Sequence, residues 1–266
     1  MKPAGGLLLF LALPLLGWGT QGHRLAAEGS LRTLPPELRT WFLGREAELL
    51  RASLEPDLWK ETDPAEVHRH RIFCEAYGGA TKVPRQASVA RGQVGVWAFE
   101  ASGQLPWVIE ERYRKLVEAF RKGEPRAVAA ASGWLCHYIA DAQVPLHTTQ
   151  NRNGKQTAQK GVHQRWETGL LEGRTLELGE LRPASPPADL PGAIATWISG
   201  SHALVLPLLS ADRAASQGAA RGAGTRGELF WTDQRGTVVQ QLRRSAESTG
   251  DLLLAAWIEA GQPLLP

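Results

Sequence analysis

The chain is predicted to fold as an all-α protein, a single-domain multi-helix bundle, on three observations. Apolar residues recur at helical spacing through most of the length, alternating strand patterns are nearly absent, and prolines and glycines fall where helices would begin and end. At 266 residues with 43% hydrophobic content, the chain can bury one sizeable core. Its 30 basic and 27 acidic residues nearly balance, and no run of like charges resembles a nucleic-acid-binding arm.

At the N-terminus, Lys2 precedes an apolar run from Leu7 to Leu16, followed by Gly17 among small residues. Residues 1–17 read as a secretory signal peptide, because so short a run cannot span a bilayer. An uncleaved anchor or a buried helix is the alternative. Cleavage after Gly17 leaves Trp18 at the head of one domain, 18–266, and implies a secreted or periplasmic location.

The segment "PPELRTWFLGREAELLRAS" opens on Pro35 and Pro36 and carries a helical apolar set from Leu38 through Leu50. "PWVIEERYRKLVEAFRKG" starts a helix at Pro106, turns Leu116, Val117 and Phe120 inward and stops at Gly123. Further helices are expected from about Pro125 to Val144, through "GVHQRWETGLLEG", and after Asp189 and Gly227. Residues 77–106, 149–161 and 182–192 are rich in glycine and proline and read as loops.

The helix after Pro125 poses a chemical problem. Between Arg126 and Asp141 there is no Asp, Glu, Lys or Arg, the pattern of a helix buried on most of its circumference. Asp141 in that setting costs several kcal/mol unless it is paired, protonated or bound to a cation. His137, one turn earlier, faces the same side, and a histidine and a carboxylate at that spacing converge on a metal without strain. Pro145 ends the helix and returns His147 toward its mouth. An ordinary hydrogen-bonded pair would explain one HxxxD alone, but His163 and Glu167 repeat the spacing in "GVHQRWE". His23 and His70 lie in segments of similar context, which leaves only His68 and His202 for ordinary hydrogen bonds or the surface. So many ligands exceed the roughly four that one zinc accepts, and clustered ions suit phosphoryl chemistry.

The two cysteines, Cys74 and Cys136, each lie near a candidate ligand. They read either as a disulfide bracing the site or as two inert core thiols.

These residues carry a resemblance to the superfamily of bacterial zinc-dependent phospholipases C and single-strand-specific zinc nucleases. It extends from "WGTQGH" to "HQRWE", through "EPDLWK", "HRHRIFCEAYG" and "HYIADAQVPLH". It implies three zinc ions. Asp57, His70, His137 and Asp141 would hold the first; the backbone amine and carbonyl of Trp18, with His23 and Asp141, the second; His147, His163 and Glu167 the third. Asp141 would bridge the first two ions, with a hydroxide between them attacking phosphorus in line, and Asp57 would be either a pure ligand or the group that orients or deprotonates the water. The Trp18 amine can ligate only once cleavage has freed it.

The substrate implied is a phosphodiester, either phospholipid or single-stranded nucleic acid. Asn151 soon after His147, the short gap to His163 and the glutamate at 167 resemble the phospholipases. The short step from Trp18 to His23 resembles the nucleases, yet Arg71 and Phe73 stand where nucleases carry an aromatic residue and an aspartate. Phe73 would line an apolar substrate pocket or belong to the core, and Lys60 reads as a surface lysine. A single-strand-specific nuclease or 3′-nucleotidase is the alternative enzyme, and a zinc-stabilised helical binding protein the alternative of another class. Transient contact with a membrane surface, no protein partner and a monomer complete the expectation.

Overall fold

The computed structural model describes residues 18–265, and contains no strand among them. The signal-peptide reading of residues 1–17 lies outside the described residues. The architecture is the all-α bundle expected from the sequence. Its helices are α1 (Gly19–Thr33), α2 (Pro36–Leu43), α3 (Glu46–Ala52), α4 (Glu55–Trp59), α5 (Glu66–Arg69), α6 (Ala87–Val94), α7 (Val96–Ser102), α8 (Leu105–Lys122), α9 (Pro125–Ala142), α10 (Val162–Gln164), α11 (Leu190–His202), α12 (Val205–Ala220) and α13 (Arg226–Glu259).

The helix ends follow local chemistry. Prolines in the first turn start α2, α4, α8, α9 and α11, where the missing N–H costs no hydrogen bond. Gly123 closes α8 in the left-handed conformation, at φ 65°, with its N–H returned to Ala119 and Phe120 carbonyls. Thr225 and Glu228 form a reciprocal capping box at the head of α13, whose 34 residues run about 50 Å.

The core is built around α9, which packs on α8, α3, α13 and α1. Leu135, Cys136, His137, Tyr138, Ile139, Ala140, Asp141 and Ala142 are all fully buried, so the helix is enclosed on every side at its C-terminal end. Both cysteines are free, buried thiols, which corrects the disulfide reading. Cys136 faces Thr249 of α13, while Cys74 begins a short 3-10 turn beyond His70, and burial pushes each thiol up to about 12. They are the inert core thiols of the alternative reading.

Three local departures from the sequence reading matter for the site. The helix expected across Leu38–Leu50 breaks at Gly44 and Arg45 into α2 and α3. The stretch 77–106, read as loop, contains the α6–α7 pair. The helix through His163 is a short α turn that widens into a π turn over Arg165–Gly169, a distortion common at functional positions.

Candidate metal centre

Five segments converge on the C-terminal end of α9. Helix α9 supplies His137 and Asp141; the short 3-10 turn begun by Pro145 supplies His147; α4 supplies Asp57; the chain leaving α5 supplies His70; and α1 supplies His23. His163 and Glu167 come in from α10 and the π turn. All eight side chains are at most 7% exposed.

Asp141 lies at the centre. Its Oδ2 is 2.7 Å from His70 Nδ1 and 3.3 Å from His137 Nε2, and its Oδ1 is 3.3 Å from His147 Nδ1 and 3.8 Å from His23 Nε2. Asp57 Oδ1 lies 3.9 Å from His70 Nδ1 and 3.8 Å from His137 Nε2. Glu167 Oε1 is 2.8 Å from His163 Nε2 and 3.2 Å from His147 Nε2. Three groups of potential ligand atoms result: His23, His137 and Asp141; Asp57, His70 and His137; His147, His163 and Glu167. Ligands about 2.0–2.1 Å from one tetrahedral zinc stand about 3–3.5 Å apart; these separations, 2.7–3.9 Å, lie in that range or within about 0.4 Å of it.

The polar accounting points the same way. Both ring nitrogens of His23 and of His147, together with His163 Nε2, Asp141 Oδ1 and both Glu167 oxygens, are buried without a hydrogen-bond partner among the described residues. Each such orphan costs roughly 1–3 kcal/mol, more if charged, and a cation shared among them removes the cost. The donor set of imidazole and carboxylate fits zinc.

The protonation pattern also favours cation binding. Burial, then the neighbouring His137, lowers His23 to about 3 and keeps its imidazole neutral. Burial alone would raise the carboxyls, but the surrounding histidines prevail: His147 and His137 hold Asp141 well below the usual range, and His163 and His147 bring Glu167 to about 2. For Asp57, His137 and Lys60 outweigh burial in the same way.

Supporting contacts fix the rings. Gly133, one turn before His137, lets α3 approach closely, since a Cβ there would meet Leu49 O at 2.5 Å. Ser53, at the end of α3, can then take a hydrogen bond from His137 Nδ1 at 2.8 Å, which leaves Nε2 with its lone pair toward Asp141. On His70, Nε2 lies 3.3 Å from Glu66 Oε1, and Tyr138 donates its hydroxyl to the same carboxylate. Arg69 joins Glu66 to Glu111. Glu66 was not singled out in the sequence, although its ExxxH spacing to His70 is the mirror of the HxxxD that was.

Trp18 is fully buried at the head of α1. Its Nε1 donates to Ala140 O at 2.9 Å, its ring stands 4.9 Å from Trp166, and its carbonyl accepts from Gly22 N at 3.2 Å. The Trp18 indole therefore packs against the residues that immediately precede Asp141 and Glu167 in the sequence. Lys60 is not the surface residue expected: its side chain is 17% exposed and its ammonium is hydrogen-bonded to Asp57. Phe73 is half-buried beneath the Arg71 guanidinium, 5.1 Å away. His202 hydrogen-bonds Thr148 and His68 hydrogen-bonds Arg71, the ordinary roles foreseen for them.

A buried cluster of imidazoles and carboxylates at one end of an all-helical frame is a metal-binding arrangement of the kind zinc hydrolases use. A family model for zinc-dependent phospholipase C matches residues 23–186, more than half of the chain, and the protein belongs to that family. All the clustered side chains fall inside the match, and Trp18 precedes it. No curated protein matches the chain. The protein is thus a zinc-dependent, phospholipase-like hydrolase acting on phosphoester bonds.

Proposed function

We propose that the protein is an exported phospholipase C-like phosphodiesterase working with three zinc ions, and that the eight clustered side chains and the Trp18 backbone hold them. The observation that carries this reading is the set of buried, partnerless polar atoms around Asp141 and Glu167. It needs more than one cation, since the two carboxylates are served by separate ligand groups. A purely structural zinc would be closed by four protein ligands, whereas the group His147, His163 and Glu167 offers three and leaves a position for substrate.

When bound, zinc acts as a Lewis acid that brings the ionisation of water to near-neutral pH and stabilises charge developing on phosphoryl oxygens. The chain's own contribution is orientation and exclusion of bulk water. Ser53 and Glu66 fix the rings of His137 and His70, and Asp141 holds the groups of the first two sites together. Asp57 is a weak base, because its carboxyl is held below the usual range and bonded to Lys60. Its role is therefore ligand and orienter, and Lys60 fixes its direction.

The test is a parallel assay of the zinc-loaded protein beginning at Trp18 on phosphatidylcholine, an anionic phospholipid, single-stranded DNA, RNA and a generic aryl phosphodiester. Release of diacylglycerol from phospholipid is expected. Cleavage of nucleic acid without phospholipid turnover would replace the reading with a nuclease. Tight zinc binding with no hydrolysis of any substrate would make the ions structural.

A further inference from the structure

We infer that Asp212, a buried carboxylate on α12 outside the metal cluster, is a positioning residue for the group His147, His163 and Glu167, and that it acts through Arg165. The inference deepens the proposed function, since it rests on that group holding zinc.

Two of the three ligands in the group come from one short segment. His163 lies on the α10 turn and Glu167 on the π turn that follows, with His163 Nε2 and Glu167 Oε1 2.8 Å apart. Arg165 stands between them in the sequence and opens the π turn, where Leu170 N donates to Arg165 O at 2.9 Å. A π turn is rare, so contacts from outside the segment must select it over a continued α-helix.

The Arg165 guanidinium supplies such a contact. Its Nε donates to Asp212 Oδ1 at 2.9 Å and its Nη2 to Asp212 Oδ2 at 3.0 Å, a bidentate pair. The same guanidinium reaches back to the loop that precedes His163, with Nη1 donating to Lys160 O at 2.9 Å and Nη2 to Gln159 O at 3.1 Å. It thereby ties the entry of the metal-bearing segment and its π turn to one point on α12.

That point is itself held from several sides. Asp212 is fully buried and accepts two further hydrogen bonds from Arg226 Nη2, at the head of α13, at 2.9 and 2.7 Å. Gln159 Nε2 adds another at 2.9 Å and donates as well to Leu209 O of α12 at 2.7 Å. The carboxylate therefore has a fixed direction from which to aim Arg165. Among the described residues, none of its partners forms a side-chain hydrogen bond or ion pair with His23, Asp57, His70, His137 or Asp141. Loss of Asp212 should reach the group at His163 and Glu167 and spare the other two.

The experiment counts zinc bound to the protein beginning at Trp18, dialysed against graded free-zinc buffers, for the wild type, Asp212→Asn, Arg165→Gln, Glu167→Gln and Asp251→Asn. Glu167→Gln marks the binding step that belongs to the group. Asp251→Asn controls for loss of a buried ion pair: Asp251 is 6% exposed and accepts from Arg182 at 2.8 and 2.6 Å and from Ser185 N at 2.7 Å, and none of these residues is a candidate ligand. Asp212→Asn should weaken the marked step by at least about tenfold and leave the other steps unchanged, whereas Asp251→Asn should lower the melting temperature and shift no step. Arg165→Gln should reproduce the loss, and combining it with Asp212→Asn should add little, because both cut the same link. With its side chain 28% exposed, Arg165 keeps the test usable if Asp212→Asn fails to fold. A marked step of wild-type affinity in either variant, an equal weakening of every step, or the same weakening in Asp251→Asn overturns the inference. If instead Glu167→Gln binds zinc as the wild type does, the zinc reading of the group falls and takes the inference with it.

Discussion

Asp141 shows how one residue can decide the chemistry of the whole centre. Two histidines face each of its oxygens, and no lysine or arginine forms an ion pair with it among the described residues. A carboxylate so placed carries a full charge in the core, and imidazoles that must stay neutral to ligate metal cannot fully offset it. Replacing it by asparagine removes the charge while preserving the shape. On the three-zinc proposal, Asp141→Asn should therefore reduce tightly bound zinc from three ions to about one and lower kcat/KM by at least about 1,000-fold, with the helical circular dichroism retained. Metal analysis after dialysis, paired with the phosphodiester assay, reads both outcomes. Three retained ions in the variant would remove Asp141 from the bridging role.

At the level of elements, the approach of α3 to α9 sets the orientation of His137. Gly133 permits it, and the consequence is specific because α3 has backbone, not a flexible side chain, at the contact: Leu49 O at 2.5 Å and Ser53 N at 2.8 Å from the added Cβ. Gly133→Ala should push α3 outward and cost about 1–3 kcal/mol, lowering the melting temperature by roughly 2–12 °C at about 2–4 °C per kcal/mol. It should also lower activity by weakening the Ser53 constraint on His137; an alanine variant with wild-type stability would contradict the close contact. The elements that were legible in the sequence are those whose punctuation and periodicity agree. Helices α8 and α9 begin at prolines, α8 ends at Gly123, and the charge-free run before Asp141 announced the burial of α9. The α6–α7 pair escaped notice because its glycines at 92 and 95 read as loop and most of its surface is exposed, which leaves little apolar periodicity. The break at Gly44 was hidden by apolar residues that continue in register on both sides. Ligand spacing within a helix was visible, whereas Ser53 reaches the His137 ring from another segment, where spacing carries no signal, and Glu66 and Lys60 stand at i,i+4 and i,i+3 from His70 and Asp57, spacings common on any charged helix face.

For the whole molecule, the centre joins α1, α4 and the π turn after α10 to the core helix α9, so its assembly and the stability of the fold are coupled. A protein retaining residues before Trp18 has no free amine at that position, and it should bind one zinc fewer and lose most of its activity; full activity with the extension in place would exclude the terminal ligand. Acid should act on the metal-free protein through the same cluster. His23 has a folded value near 3 against 6.5 in an unfolded chain, so below about pH 6.5 the unfolded state takes up a proton that the folded state refuses. Glu167, at about 2 in the fold against 4.5 unfolded, is again protonated first in the unfolded state, so its contribution is present above about pH 4.5 and lost as the pH falls toward 2. His137 opposes them: its folded value is raised, and its contribution is present below about pH 6.5 and lost as the pH rises through that raised value. Where His23 titrates, stability should fall by at most about 1.4 kcal/mol per pH unit per proton, or roughly 3–6 °C per unit at this size. Zinc reverses the loss near neutrality, because it binds the same neutral imidazoles and excludes the proton from them. Melting curves of the chelator-treated protein should therefore shift downward from pH 6.5 to 4, while those of the zinc-loaded protein stay flat until the metal is released. Identical pH profiles with and without zinc would mean that the buried cluster is not what acid titrates.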